Sequence, residues 1–242
     1  MGGIDAYDRV SRLAPAYLVF LPAVVFVIAL SLGTSAWWSK FGGVLVACGA
    51  PILALQWGRS GGRAKEPQLF RTWGGPPTTT LMRFRTGGSA ATVAQRHEAV
   101  ERATGTKMPT AAEEAANPPG ADAIYETGVT RLREQTRDEK QFPLVLKENI
   151  AYGFRRNLWG RKLYGIAVAA LVLLTSVGLL LAKALGQGVV PWESAAFEAA
   201  FAAVALLVWL TTITPEWVRE AGETYATRLF ESAIRLPSVV RP

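Results

Sequence analysis

The chain has 242 residues, a formal net charge of +7 and 50% hydrophobic residues. Its apolar residues occur in long uncharged blocks, which excludes an ordinary soluble domain and is typical of a membrane protein. Cys48 is the only cysteine, so no intrachain disulfide can form. The basic balance favours loops that face anionic lipid. We predict a mainly α, integral membrane protein.

Four apolar windows are long enough to cross a bilayer, which takes about 20 residues. They cover residues 15–33, 41–57, 163–182 and 194–214. A cleaved signal peptide is the alternative for the first window. Its apolar core, however, exceeds the usual ~7–15 residues, and a second apolar window follows closely. The sequence therefore predicts four transmembrane helices.

The distribution of Lys and Arg predicts the orientation. The loop 58–162 holds 18 of the 26 basic residues, whereas each short connection between paired helices holds one lysine. By the positive-inside rule, both termini and this loop are cytoplasmic. The predicted regions are a tail (1–14), helices 1 and 2 (15–57), a basic domain (58–162), helices 3 and 4 (163–214) and a C-terminal amphipathic helix (215–242).

The inserted domain is predicted to be small and mostly helical. A flexible glycine-rich exit covers 58–62, a turn covers 73–77 and a short strand covers 78–85. Two capping pairs, Thr92 with Gln95 and Thr110 with Glu113, predict helix starts. These helices are expected to end at Gly105 and before Pro118, and further helices to cover 122–141 and 144–160. The last of these leads directly into transmembrane helix 3, so that movement of the domain would be transmitted to it.

The C-terminal segment 216–236 has an apolar face opposite alternating Glu and Arg residues. Because the polar face is not strongly cationic, we expect this helix to pack on protein in preference to lying on the membrane surface.

No catalytic motif is present. His97 is the only histidine and is expected on a helix surface; no zinc-ligand spacing, nucleophile elbow or phosphate-binding glycine loop occurs. We therefore predict no enzymatic activity, no catalytic residue, no metal and no cofactor.

Basic and aromatic side chains of the domain form a candidate ligand set. Guanidinium groups bind phosphates in bidentate fashion, and Trp can stack on a base. The candidates are Arg71, Trp73, Arg83, Arg85, Arg131, Arg155 and Arg156. A nucleotide or another anionic ligand is the predicted occupant, and duplex nucleic acid is not expected. Alternatively, these arginines pair with the 11 acids of the same loop or with lipid headgroups.

Helix 4 carries small residues at Ala195, Ala199 and Ala203, a spacing that allows close helix approach within one chain or in a homo-oligomer. Glu198 is the single acid within a predicted span and is a candidate pore residue. Alternatively, its position near the helix start lets the carboxylate reach the outer headgroups.

The layout resembles that of small bacterial membrane effectors, in which a cytoplasmic sensing domain is coupled to transmembrane helices. Some of those proteins serve antiviral defence by permeabilising the inner membrane. The resemblance covers the whole chain, rests on no motif and assigns no residue. It implies an oligomeric, channel-like protein of the cell inner membrane. The alternative is a membrane-anchored scaffold or accessory subunit that recruits a soluble partner.

Overall fold

The computed structural model describes residues 8–33, 61–188 and 190–238. These residues are mainly helical and include no strand. A π-helical turn, Asp8–Leu13, precedes the first α-helix. The α-helices are α1 (Ala14–Gly33), α2 (Gly61–Trp73), α3 (Pro77–Thr80), α4 (Ala90–Thr104), α5 (Ala111–Ala116), α6 (Pro118–Gln135), α7 (Pro143–Gly160), α8 (Lys162–Ala184), α9 (Trp192–Thr211) and α10 (Pro215–Ala233).

The chain divides into two compact units. Unit 1 comprises Met1–Glu66 and Gly153–Val218, and unit 2 comprises Pro67–Tyr152 and Arg219–Pro242. The division falls within α2, α7 and α10.

Unit 1 contains three helices long and apolar enough to span a membrane: Val10–Leu30, Lys162–Ala184 and Trp192–Thr211. They confirm three of the four predicted windows. The remaining window, 41–57, lies outside the described residues. Side chains such as Leu171, Leu174 and Leu207 are exposed on these helices, as expected where the neighbouring solvent is lipid.

Helices α8 and α9 form an antiparallel hairpin. The two helices pack closely at Gly165, where an added Cβ would lie 2.2 Å from Cε2 of Trp209. The Trp209 side chain, only 4% exposed, belongs to an apolar cluster with Val19 of α1 and Ala169 of α8. A residue without a side chain is therefore needed for the indole to pack here.

Polar contacts bring three helix ends together in unit 1. The Asn157 side chain donates to the Ser11 carbonyl at 2.6 Å, next to the start of α1. Lys162, at the start of α8, donates to the carbonyls of Leu210 and Ile213 at the end of α9. Consequently α1 and α8 begin at the same end of the unit, which we call the basic end, and α9 finishes there.

Unit 2 has its own core, in which α4 and α6 pack together around Val100, Tyr125 and Leu132. Gly128 lies within α6, where glycine usually weakens a helix. Here a Cβ would lie 2.5 Å from Cε of Met108 and 3.2 Å from Cγ1 of Val100. The glycine thus permits close packing.

Several predicted boundaries are confirmed. Thr110 and Glu113 make both halves of a capping box. Helix α4 ends at Gly105, whose φ of 68° suits a residue without a Cβ. Helix α7 matches the predicted 144–160 segment, and only Arg161 separates it from α8.

Other predictions were wrong. The predicted strand 78–85 is instead the short helix α3 followed by turns, because Pro77 starts a helical turn and Thr80 bonds back to its carbonyl. Helix α4 is capped by Ser89, whose Oγ accepts from the Thr92 amide, so Thr92 is not the cap. Gly61 and Gly62, expected in a flexible exit, begin α2.

The predicted helix 122–141 also has different ends. Helix α6 begins at Pro118, with Asn117 as its cap, and finishes at Gln135. A proline is well tolerated in the first turn of a helix, where its missing amide proton is not needed.

Candidate functional site

Two of the candidate arginines, Arg83 and Arg85, lie together in unit 2. Arg83 makes a bidentate pair with Asp122, with Nε–Oδ1 at 2.8 Å and Nη2–Oδ2 at 2.7 Å. Its third nitrogen donates to the carbonyl of Gly74 at 2.7 Å. Arg85 also reaches Asp122, at 2.9 Å. Both guanidinium groups therefore already have a carboxylate partner.

Glu114 is the buried centre of this network and is 2% exposed. It accepts hydrogen bonds from the Phe84 amide at 2.8 Å, the Arg85 guanidinium at 2.8 Å and the Tyr125 hydroxyl at 2.7 Å. Burial by itself raises the pKa of the carboxyl. The hydrogen bonds outweigh this effect, and the pKa lies below its ordinary value. Glu114 is thus held as a carboxylate.

His97 and Tyr125 complete the network from α4 and α6. The His97 Nε2–H donates to the carbonyl of Met82 at 2.6 Å, and the ring meets Phe84 edge-on at 4.9 Å. Burial lowers the pKa of His97, so the ring is neutral near pH 7. Burial and the Glu114 carboxylate raise the pKa of Tyr125. The expectation of a surface His97 was wrong, because the packing of α4 turns it inward.

The other candidates of unit 2 do not join this cluster. Arg71 is exposed. Trp73 packs beside Phe70 with ring centroids 6.0 Å apart, and its indole nitrogen is buried without a hydrogen-bond partner among the described residues. Arg131 donates to the Thr106 hydroxyl at 3.1 Å. The structure does not bring these residues into one pocket.

Arg155 and Arg156 belong to unit 1. Arg155 donates to the carbonyl of Trp217 at 2.8 Å and lies over that ring at 4.8 Å. Arg156 pairs with Glu66 at 2.7 Å. Lys65 lies over the Trp159 ring at 5.9 Å, so the start of α2 is also at the basic end. Protein groups thus engage both arginines.

Glu198 occupies a different environment within the span formed by α9. Its side chain is 2% exposed, and neither carboxyl oxygen has a hydrogen-bond partner in the described part of the chain. It therefore does not extend to the surface, as the headgroup alternative requires. Ser176 of α8 is likewise buried, and its hydroxyl also lacks a partner there.

Sequence reasoning missed Glu114, Asp122 and Ser176. Adjacent acids such as Glu113 and Glu114 are typical of a solvated helix face, but Glu113 caps the helix and Glu114 is buried on the inner side. A detectable signal existed for Ser176, which continues the buried stripe of Gly165, Ala169 and Val172.

Within the described ranges, no three His, Cys, Asp or Glu side chains are grouped so that they could hold a metal ion. Comparisons with protein-family models, curated proteins and solved structures give no match to this chain.

Proposed function

We propose that this chain is an oligomeric inner-membrane effector that conducts cations, with unit 2 as its cytoplasmic regulatory part. The observation that carries the proposal is Glu198, which is buried in a helix long and apolar enough to span a membrane and has no hydrogen-bond partner among the described residues. Acidic residues inside membrane spans are energetically costly and usually mark ion pathways. The seven-residue spacing of buried positions on α9, from Ala195 to Ala202 to Trp209, supports close helix association around this residue.

The topology we propose has four spans and cytoplasmic termini. Helix α1 leaves the basic end, and its last residue is Gly33. By Lys65 and Glu66 the chain is back at the basic end, beside Trp159 and Arg156. We therefore propose that the 27 residues between Gly33 and Gly61 recross the membrane, for which the apolar window 41–57 is long enough.

Regulation would act through α7. This helix is continuous from Pro143 to Gly160 and is followed after Arg161 by α8. Helices transmit displacement because their hydrogen bonds resist bending, so a change at the start of α7 would move α8 and its contact with α9. An anionic ligand or a soluble partner would supply the signal by binding unit 2. An anionic ligand that used Arg83 or Arg85 would have to displace Asp122 or Glu114.

Flux measurements on the full chain in liposomes test conduction. With potassium and proton gradients, and with ATP or inorganic phosphate as anionic probes, we expect dye-detected flux in the wild type. Glu198→Gln should lower it at least about tenfold, since the variant removes the only ionisable group buried in the described spans. The matched control is Glu193→Gln on the exposed first turn of α9, which should retain wild-type flux. Unchanged flux in Glu198→Gln would exclude Glu198 from the path.

A scaffold is the second proposal, and the pairing of the arginines favours it. Arg83 and Arg85 are engaged by carboxylates and are therefore less suited to binding an anionic ligand. Unit 2 also has a surface groove that a peptide of a partner protein could occupy. The groove has apolar side chains from Met108, Pro109 and Ile124 together with the charged Lys107 and Glu113. Affinity purification from membranes separates the proposals: a stoichiometric soluble protein lost on Ile124→Arg supports the scaffold, and a self-assembled ring supports the channel.

A further inference from the structure

The α8–α9 hairpin brings Ser176 and Glu198 into one layer. Gly165 faces Trp209 across the hairpin. Ser176 follows Gly165 by 11 residues, and Glu198 precedes Trp209 by 11 residues. Eleven residues are close to three helical turns, or about 16 Å of rise. In an antiparallel pair, both positions therefore return to the facing sides at the same depth.

Both side chains of this layer are buried, and their polar atoms have no hydrogen-bond partner among the described residues. Ser176 is 0% and Glu198 2% exposed, and the hydroxyl and both carboxyl oxygens lack hydrogen-bond partners in the described part of the chain. The buried neighbours along the two stripes are apolar: Val172 on α8, and Ala195 and Ala202 on α9. A buried polar group without a partner is costly, so the layer is incomplete as it stands.

We propose that Ser176 and Glu198 form a proton-binding site inside the membrane. Glu198 holds the proton as a carboxylic acid. The two side chains are not hydrogen-bonded to each other as they stand, and a side-chain rotation on protonation would let the carboxyl O–H donate to the Ser176 hydroxyl oxygen across the hairpin. A metal cation fits less well, because these side chains supply three oxygens, whereas hard cations such as Mg²⁺ and Ca²⁺ take roughly six or more. The carbonyls of both helices are engaged in their own backbone bonds.

Within helices α1, α8 and α9, no cation lies near enough to neutralise the Glu198 carboxyl. On α9 the nearest ionisable group is Glu193, which is exposed at the helix start. On α8 it is Lys183, seven residues beyond Ser176, which is exposed and donates to the Gly188 carbonyl. Helix α1 carries no acidic or basic residue between Ala14 and Gly33. Because these helices place no opposite charge beside Glu198, a bound proton is the means by which its carboxyl is neutralised.

An apolar carbodiimide tests the site, because it reacts with a protonated carboxyl inside a membrane. Full-length protein in lipid vesicles is treated with dicyclohexylcarbodiimide, and the adduct is located by fragment mass spectrometry. We expect wild-type labelling at Glu198 that is faster at pH 6 than at pH 9. Glu198→Gln should give no adduct, and Glu193→Gln should label as the wild type. Ser176→Ala should label about fivefold more slowly at the same pH, since one hydrogen bond is lost.

Three results would overturn the proposal: no adduct at Glu198, a rate independent of pH, or protection by sodium ions without pH dependence. Wild-type labelling in Ser176→Ala would remove Ser176 from the site. Monodisperse elution in detergent confirms that each variant is folded. The inference rests on the membrane placement proposed above but not on conduction. A labelled protein without flux would contradict only the channel, and Glu198-dependent flux without labelling would contradict only the proton site.

Discussion

At the scale of single residues, unit 2 is organised by one buried carboxylate. Glu114 receives two backbone amides, the Arg85 guanidinium and the Tyr125 hydroxyl, and thereby ties the 83–85 turn to α5 and α6. Hydrogen bonds to a charged group are the stronger kind, and breaking them leaves buried donors without acceptors. The network therefore stabilises unit 2. It also engages Arg83 and Arg85, two of the arginines that the sequence offers as ligand candidates.

Replacing this carboxylate should weaken unit 2 selectively. For Glu114→Gln we expect a loss of about 2 kcal/mol in the opening free energy of α4 and α6. The amide has one acceptor oxygen in place of two, so some of the donors around it lose their acceptor. Hydrogen exchange with mass spectrometry on the full chain measures it. The exposed Glu126→Gln on α6 should change the free energy by less than about 0.5 kcal/mol. Equal effects of the two variants would show that the network is not stabilising.

The same unit should lose stability in acid in two stages. His97 has a pKa lowered from 6.5, so the unfolded chain takes up its proton first and stability falls as the pH drops below about 6.5. Glu114 has a pKa lowered from 4.5; its contribution is present above pH 4.5 and disappears as the pH falls through the lower folded value. Hydrogen exchange of α4, followed from pH 7 down to about pH 2.5, measures both stages. His97→Gln should abolish the upper stage and keep the lower one.

At the scale of elements, helix ends and glycines decide the packing. Thr110 and Glu113 could be recognised as a cap because a capping box involves residues three apart, whose interaction is local. The strand predicted at 78–85 was wrong because threonines favour strands only when a partner strand exists, and tertiary contacts override such preferences. The close contact between Gly165 and Trp209 depends on two helices and has no local sequence signal beyond a small residue.

The two glycines of α8 provide a matched test of the hairpin. A Cβ at Gly165 would lie 2.2 Å from Trp209, whereas nothing lies within 4 Å of one at Gly178. Gly165→Ala should therefore cost about 1–3 kcal/mol through overpacking, and Gly178→Ala should be neutral or slightly stabilising. The melting temperatures of the two variants are compared by heating each in detergent and measuring the fraction of protein that remains monodisperse. Similar melting temperatures would contradict the close approach of α8 and α9.

At the scale of the whole molecule, the basic end of unit 1 is the feature from which we infer the orientation of the membrane-length helices. Three described helices that are long and apolar enough to span a membrane begin or finish there, and nearby lysines and arginines bind helix-end carbonyls and aromatic rings. In the topology that we propose, these cationic groups lie at the membrane surface, where we expect them to attract anionic lipid.

Single-cysteine labelling in a Cys48→Ala background tests the proposed topology. Gln187→Cys, in the connection after α8, should react with an impermeant maleimide in intact spheroplasts. Gln141→Cys, just before α7, should react only in inside-out vesicles, because four spans place it in the cytoplasm. Reaction of both from the same side would contradict the proposed arrangement.

The sequence by itself determined which segments need lipid, where most helices begin and end, and where the positive charge is concentrated. These properties depend on the solvation and local hydrogen bonding of residues a few positions apart. Only the tertiary structure decided that Arg83 pairs with Asp122, 39 positions away, and that Ser176 and Glu198 are buried without hydrogen-bond partners among the described residues. Partners of this kind are chosen by helix packing and register, because burial makes an unpaired polar group costly only after the helices have come together.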